Sequence, residues 1–368
     1  MWTEDDIRFM REALDLAKSA EGRTTPDPLV GAVLVKGGQI ISVGYHGEVT
    51  TPHAEAWAIQ KAGEEARGAT LYINLEPCCF FAKKNNPPCT DAIINARIKK
   101  VIVSMKDPNP LVNGKGLGRL KRAGIKVEVG LLEEEARRLN EVFVKYITSR
   151  LPFVAMKTAM TLDGKIATKT GASRWVAGPA ALRYAHHLRN IYDAIVVGVE
   201  TILIDDPLLN VRRVKKVNDP IRIVLDSYAR TPAGARVINS PGGKTIIVVG
   251  PKAPKTKVNA LRKKGAEIIG LPAPKGRIAV KALLKTLGEM KITSLLVEGG
   301  GEVNASFLEA GLIDKAIFCI SPKIFGGREA KTAVEGEGVK LPSQAVWLKK
   351  IHHEMMGEDL IISGYFHA

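Results

Sequence analysis

At 368 residues the chain exceeds what one typical core holds, so two domains are expected. With 45% hydrophobic and 25% charged residues it reads as a globular protein, and no apolar run is long enough to span a bilayer. The net charge of +16 suits either a nucleic-acid surface or small phosphorylated ligands; scattered lysines and only 5% aromatics favour the small anions.

In chain order, Thr3 caps a helix whose first turn is acidic, and Ile7, Met10, Leu14 and Ala17 recur at helical spacing. The acidic start is unlike a secretory signal, so a cytoplasmic location is expected. A hairpin follows over 29–35 and 39–45, turning at Gly37-Gly38. Pro52 opens a predicted helix to about 66, with His53 and Glu55 in its first turn. A buried strand is predicted at 71–75, a helix from Cys89, a strand at 101–105, and a helix at 117–123. A strand at 125–129 and one long helix at 133–148 close the first unit. Alternating strands and helices predict a three-layer α/β domain with a mixed sheet.

Ser149-Arg150-Leu151-Pro152 reads as the boundary, giving domains 1–148 and 149–368. The second domain shows strands near 153–159, 193–198, 221–226, 244–249, 267–270, 293–297 and 315–320. Helical patterns fall near 179–190, 256–264, 279–288 and 302–310, and the tail at 345–367 reads as two strands with an antiparallel edge.

Three of the four cysteines cluster at Cys78, Cys79 and Cys89, a pattern of metal binding or chemistry rather than of a disulfide framework. Upstream stands Pro52-His53-Ala54-Glu55, and then Glu76-Pro77-Cys78 and Pro88-Cys89. One imidazole and two thiolates can hold zinc with one position open for water. This is the H-x-E…P-C-x-x-C pattern of zinc deaminases, with the second half stretched by ten residues between Cys78 and Cys89. His53, Cys78 and Cys89 are thus the expected ligands and Glu55 the proton carrier for a zinc-bound hydroxide; Cys79 is the alternative to Cys78. Singly, each of these residues reads as a surface histidine or a buried hydrophobe.

Thr25-Pro26-Asp27-Pro28-Leu29-Val30-Gly31-Ala32-Val33, Gly44-Tyr45-His46 and Asp107-Pro108-Asn109-Pro110 resemble the deaminase half of the bifunctional riboflavin-biosynthesis deaminase–reductase family. Asp27 stands where that family usually has asparagine. Phe80–Asn86 replaces a short His-His-Gly-Arg loop, and Glu48-Val49-Thr50 replaces a lysine-containing stretch. Lys83 and Lys84 are candidates to take over phosphate binding there.

The second half lacks G-x-G-x-x-G, so a Rossmann site is not supported. It carries Val297-Glu298-Gly299-Gly300-Gly301-Glu302-Val303-Asn304, a strand ending in glycines before a helix, which is either a phosphate cradle or an ordinary turn. With Thr161 to Ala167, Ser173-Arg174-Trp175, Arg189, Gly198 to Thr201, Asp205-Asp206-Pro207, Leu209, Arg212 and Asp226-Ser227, it resembles the reductase half of the same family, similar in fold to dihydrofolate reductase. The resemblance implies NADPH across Ala159, Trp175, Thr201, Asp205, Ser227 and Gly300, Gly301, Glu302, Val303, Asn304, Ala305 and Ser306. It implies Ser173, Arg189, Leu209, Arg212 and Glu298 at the substrate. Arg189 and Arg212 suit bidentate phosphate recognition, and Lys157 and Lys165 are candidates to polarise the ribose aldehyde.

The expected protein is therefore a two-activity enzyme. It deaminates 2,5-diamino-6-(5-phosphoribosylamino)pyrimidin-4(3H)-one and reduces the ribosyl group of the product to ribityl with NADPH. Expected partners are this phosphorylated pyrimidine and a second copy of the chain, with no nucleic acid and no membrane. The rivals are a nucleic-acid-editing deaminase with an RNA-binding second domain, a non-catalytic zinc-stabilised module, and a reductase whose deaminase is silenced by the altered loop.

Overall fold

The computed structural model describes residues 1–49, 51–80 and 87–366. Lys83, Lys84 and Thr50 lie outside them, and so does the phosphate-binding expectation placed on the lysine pair. The chain divides into two compact units, Met1–Arg150 and Leu151–Ala368.

In the first unit the helices are α1 (Glu4–Lys18), α2 (Ala54–Ala62), α3 (Cys89–Asn95), α4 (Lys115–Arg122), α5 (Glu133–Leu139) and α6 (Glu141–Ser149). The strands are β1 (Gly31–Lys36), β2 (Gln39–Tyr45), β3 (Thr70–Leu75), β4 (Lys100–Met105) and β5 (Lys126–Val129). Among the described residues they form one sheet in the order β2-β1-β3-β4-β5, with β1 antiparallel to both neighbours and β3, β4 and β5 parallel. Two glycines let helices approach opposite faces of this sheet. A Cβ on Gly31 would lie 2.0 Å from Ala13 O of α1, and one on Gly44 2.2 Å from Ala54 O of α2. Leu71, Ile73, Val101, Ile102 and Val103 of the two central parallel strands are wholly buried between the layers.

Two expectations shift here. The helix predicted from Pro52 begins at Ala54, and His53 is its N-cap in extended conformation (φ −64, ψ 155), so only Glu55 lies in the first turn. The helix predicted over 133–148 breaks at Asn140, whose side chain accepts from Leu29 N at 2.9 Å and donates to Leu29 O at 3.0 Å. That contact fixes the segment entering β1 and outweighs helical continuity.

In the second unit the strands are β6 (Phe153–Thr161), β7 (Ala194–Gly198), β8 (Ile221–Leu225), β9 (Thr245–Val249), β10 (Glu267–Gly270), β11 (Ser294–Gly299), β12 (Lys315–Ser321), β13 (Lys349–Met356) and β14 (Asp359–Tyr365). Helices α7 (Pro179–Ile191), α8 (Val199–Asp205), α9 (Arg236–Asn239), α10 (Lys255–Lys263), α11 (Val280–Glu289) and α12 (Gly301–Glu309) connect them. Among the described residues the sheet runs β10-β9-β8-β7-β11-β6-β12-β14-β13, parallel except at β14 and β13. Buried apolar clusters cover both faces, as a parallel sheet requires. No helix among the described residues is long and apolar enough to cross a membrane.

Candidate active sites

In the first unit three elements converge beyond the carboxyl ends of parallel strands, where open α/β sheets place ligands. The cap of α2 presents His53, the segment after β3 presents Cys78, and α3 opens on Cys89. His53 Nδ1 lies 3.0 Å from Cys89 Sγ and 3.7 Å from Cys78 Sγ, and the three donor atoms all fall within 4.8 Å of one another. Cys89 N donates to Cys78 Sγ at 3.4 Å, and Thr90 N to Cys78 O at 3.1 Å, so the first turn of α3 is laced to Cys78. Cys79 is not in this group.

The electrostatics fit a cation. The Cys89 thiol and the His53 ring hold Cys78 as a thiolate with a pKa down at about 4, against the upward pull of burial. Hydrogen bonding to Cys78 raises His53 to about 9, and the same neighbour, with burial, raises Cys89. Two sulfurs and one imidazole nitrogen are the donors zinc prefers, and three protein ligands leave the fourth position free. Glu55 is 3% exposed and its Oε2 has no hydrogen-bond partner. Burial raises its pKa although His53 pulls it down.

Three further polar groups frame this site, and the sequence reading had given them no role. The buried His46 ring stands edge-on to His53, centroids 5.4 Å apart, with Nε2 3.4 Å from Asp27 Oδ2. Asp107 is buried and its pKa is pushed up to about 6, by burial first and then by Glu76 and Cys78. Glu76 is buried as well. All lie inside the flanking motifs quoted from the sequence, so their presence was legible and their convergence was not.

In the second unit a cavity of about 930 Å³ opens among the carboxyl ends of β6, β7, β8 and β11. Its lining includes Ala159, Trp175, Thr201, Asp205, Ser227, Gly300, Gly301, Glu302, Val303, Asn304 and Ser306, together with Ser173, Arg189, Leu209, Arg212 and Glu298. Ala305 does not join them; it is buried, and a Cβ on Gly336 would lie 2.7 Å from its own. Lys157 lines the cavity, whereas Lys165 turns away, with Nζ 3.5 Å from Ala330 O.

The glycine loop has distinct parts. Gly299 and Gly300 have positive φ, and the nearest atom to a Cβ on Gly300 would be Thr201 Oγ1 at 4.0 Å, so its backbone faces open space at the start of α12. Bare backbone there suits a pyrophosphate. A Cβ on Gly299 would instead strike Asn304 Oδ1 at 2.4 Å. The Asn304 amide donates to Thr158 Oγ1 and Ala333 O, so this residue serves the scaffold.

Arg189 is the main departure from the sequence reading. Its Nε donates to Glu298 Oε1 at 2.9 Å and its Nη2 to Oε2 at 2.6 Å, so the fork expected to grip phosphate is engaged by a carboxylate. Burial pulls Glu298 upward, but Arg189 and Lys157 overcome it and bring it to about 2. Arg212 is exposed, and its Nη1 donates to the neutral Asn210 Oδ1. Burial and its neighbours Arg189, Arg213 and Arg236 lower its pKa, a crowded positive field suited to an anion. His186, buried beside these groups, is lowered to about 4 by burial, Arg189 and Arg212. Sequence reasoning missed it because nothing marks it among the helical positions of α7. Arg230 and Arg277, also at the cavity, pair with Glu200 and Glu302.

Residues 3–105 match the family model for the cytidine and deoxycytidylate deaminase zinc-binding region, and residues 152–362 match that for the RibD C-terminal domain. The riboflavin biosynthesis protein RibD of Aquifex aeolicus is 44% identical over 362 residues, covering 98% of this chain and 99% of that protein. Its counterpart in Actinobacillus pleuropneumoniae is 42% identical, covering 98% and 95%. Among solved structures, RibD of Acinetobacter baumannii superposes with a TM-score of 0.85 at 34% identity, covering 98% of this chain and 99% of that one. The diaminohydroxyphosphoribosylaminopyrimidine deaminase/5-amino-6-(5-phosphoribosylamino)uracil reductase of Thermotoga maritima does so at 0.84 and 36% identity, covering 98% of each.

Proposed function

The chain belongs to the RibD family of bifunctional deaminase–reductases of riboflavin biosynthesis, and from that premise we propose how its residues divide the two reactions. The first unit removes the 2-amino group of 2,5-diamino-6-(5-phosphoribosylamino)pyrimidin-4(3H)-one by hydrolysis. The second reduces the ribosyl group of 5-amino-6-(5-phosphoribosylamino)uracil to ribityl with NADPH. The observation that carries the first assignment is a buried carboxylate, Glu55, beside three donor atoms within 4.8 Å of one another.

His53, Cys78 and Cys89 would hold a zinc ion, which would supply the Lewis acidity that makes water nucleophilic near neutral pH. Glu55 takes the proton of the attacking water and returns it to the departing amine. Burial raises its pKa, which makes the carboxylate a better proton acceptor than a solvated one.

In the second unit NADPH supplies the hydride, and the protein positions the partners. Gly300 and the start of α12 would take the pyrophosphate, and Ala159, Trp175, Thr201, Asp205 and Ser227 would hold the rest of the cofactor. Glu298, held ionised by Arg189, accepts hydrogen bonds from the substrate, with Ser173 and Leu209 beside it. Lys157 donates toward the aldehyde oxygen. Arg212 meets the phosphate in place of the paired Arg189.

A second copy of the chain is proposed to pair on β13, an edge strand whose Ile351 and Met355 are exposed, with Val346 and Trp347 exposed just before it. Sedimentation that gives a monomer at micromolar concentration removes this pairing. A reducing cytoplasm suits the free thiols of Cys78, Cys79 and Cys89. The nucleic-acid-editing reading needed an RNA-binding second domain, and the RibD C-terminal domain occupies that place.

The test is to incubate the protein with the diaminopyrimidine phosphate, with and without NADPH, following ammonia and NADPH absorbance together. Ammonia release without NADPH, and NADPH consumption only after it, is the expected result. Ammonia release with no NADPH consumption removes the reductase assignment. NADPH consumption on supplied aminouracil without any ammonia release shows the deaminase to be silent.

A further inference from the structure

We propose that Glu76 is a positioning residue of the zinc site, acting through α4, with Arg119 as the second anchor of the same brace. The inference rests on the zinc reading proposed above. Glu76 is 3% exposed, and a buried carboxylate persists only where hydrogen bonds replace its lost water. Four backbone amides do so. Asp107 N and Gly114 N donate to Oε2 at 3.2 and 2.9 Å, and Gly116 N and Leu117 N donate to Oε1 at 3.0 and 3.2 Å. The last three belong to the amino end of α4, where amides lack partners within the helix and the dipole favours a negative charge.

The clasp is close. A Cβ on Gly116 would lie 2.2 Å from Pro77 O, so α4 rests directly on the segment that leads to Cys78. One turn further on, Arg119 reaches back. Its Nη1 donates to Cys79 O at 3.4 Å, and its guanidinium pairs with Asp91 of α3, the helix that begins at Cys89. Glu76 therefore fastens the Cys78 segment to α4, and Arg119 fastens α4 to α3. The separation of the two thiols is set across three elements.

Chain length gives such a brace a purpose. The zinc-deaminase signature puts two residues between its cysteines, whereas ten separate Cys78 from Cys89 here. A longer connection holds its ends together less firmly. The thiol spacing must then come from the scaffold.

The test uses the full-length, zinc-loaded protein with Glu76→Gln and, separately, Arg119→Met. The glutamine amide turns its own donors toward backbone donors and so loses half of the clamp. Arg119 is 40% exposed, so its replacement spares the core. Zinc transfer to a colorimetric chelator is expected to quicken about 10- to 100-fold in both variants, as for other residues that hold metal ligands in place. The sulfur-to-metal charge-transfer bands of the cobalt-substituted protein are expected to shift, while NADPH oxidation by the second unit stays at the wild-type rate. Zinc release and cobalt spectra identical to wild type, even with a lowered melting temperature, would overturn the proposal and leave Glu76 a fold-stabilising residue only. A wild-type protein that takes up no zinc would overturn the zinc reading and this inference with it.

Discussion

Two buried carboxylates, Glu55 and Glu298, end on opposite sides of the ordinary carboxylate value. Burial raises Glu55 against the pull of His53, whereas Arg189 and Lys157 overcome burial at Glu298 and bring it to about 2. The first is suited to exchanging a proton, the second to staying charged. Glu55→Gln is expected to lower deamination by about 10²- to 10⁴-fold while zinc content and aminouracil reduction hold; full ammonia release would remove Glu55 from proton transfer. Arg189→Ala strands Glu298 as a buried charge. It is expected to cost about 3–5 kcal/mol in the second unit and to lower kcat along with binding. Arg212→Ala, at an exposed side chain, is expected to raise KM alone. Melting curves and a kcat/KM split decide between them, and a pure KM effect of Arg189→Ala with unchanged stability would return Arg189 to the phosphate. His53, Glu55, Cys78 and Cys89 were legible because their residue types and order carry the chemistry. The engagement of Arg189 was not, because its partner lies 109 positions away.

Elements marked by an apolar run, a turn or a helix start were readable, down to the four-residue β10, and unmarked or tertiary-dictated ones were not. The hairpin, β3 and α1 follow from turn glycines, a run of buried apolar residues, and a Thr3 capping box. Helices α8 and α9, of 7 and 4 residues, are too short to show a helical period, and the break at Asn140 depends on a contact with Leu29. Gly44 shows how an element sets the site. It admits α2 against β2, and α2 carries the cap at His53 and the first turn with Glu55. Gly44→Ala is expected to push α2 outward, destabilising the first unit by about 1–3 kcal/mol and lowering deamination without changing reduction. An unchanged deaminase kcat in that variant would show that α2 tolerates displacement, and that its seat on Gly44 does not place Glu55.

At the scale of the whole chain, which divides after Arg150, both units bury groups whose protonation changes with pH. In the second unit, His186 is lowered from 6.5 to about 4 by burial and by Arg189 and Arg212, with Arg213 adding to them and Glu298 opposing. A base with a depressed pKa binds fewer protons folded than unfolded, so its contribution is full above pH 6.5 and is lost as pH falls toward 4. Glu298, lowered from 4.5 to about 2, extends the loss to lower pH in the same sense. Asp107 in the first unit, raised from 3.8 to about 6, works the other way, because its buried carboxyl is most at ease protonated. Between pH 7 and pH 5 the second unit is therefore expected to lose about 2 kcal/mol, while Asp107 opposes any loss in the first. Calorimetry of the zinc-saturated protein can follow both transitions, the first unit's being the one that moves on chelation. His186→Asn, which cannot be protonated, is expected to flatten the second unit's slope between those pH values. An equal slope in wild type and variant would place the second unit's acid sensitivity between those pH values outside His186.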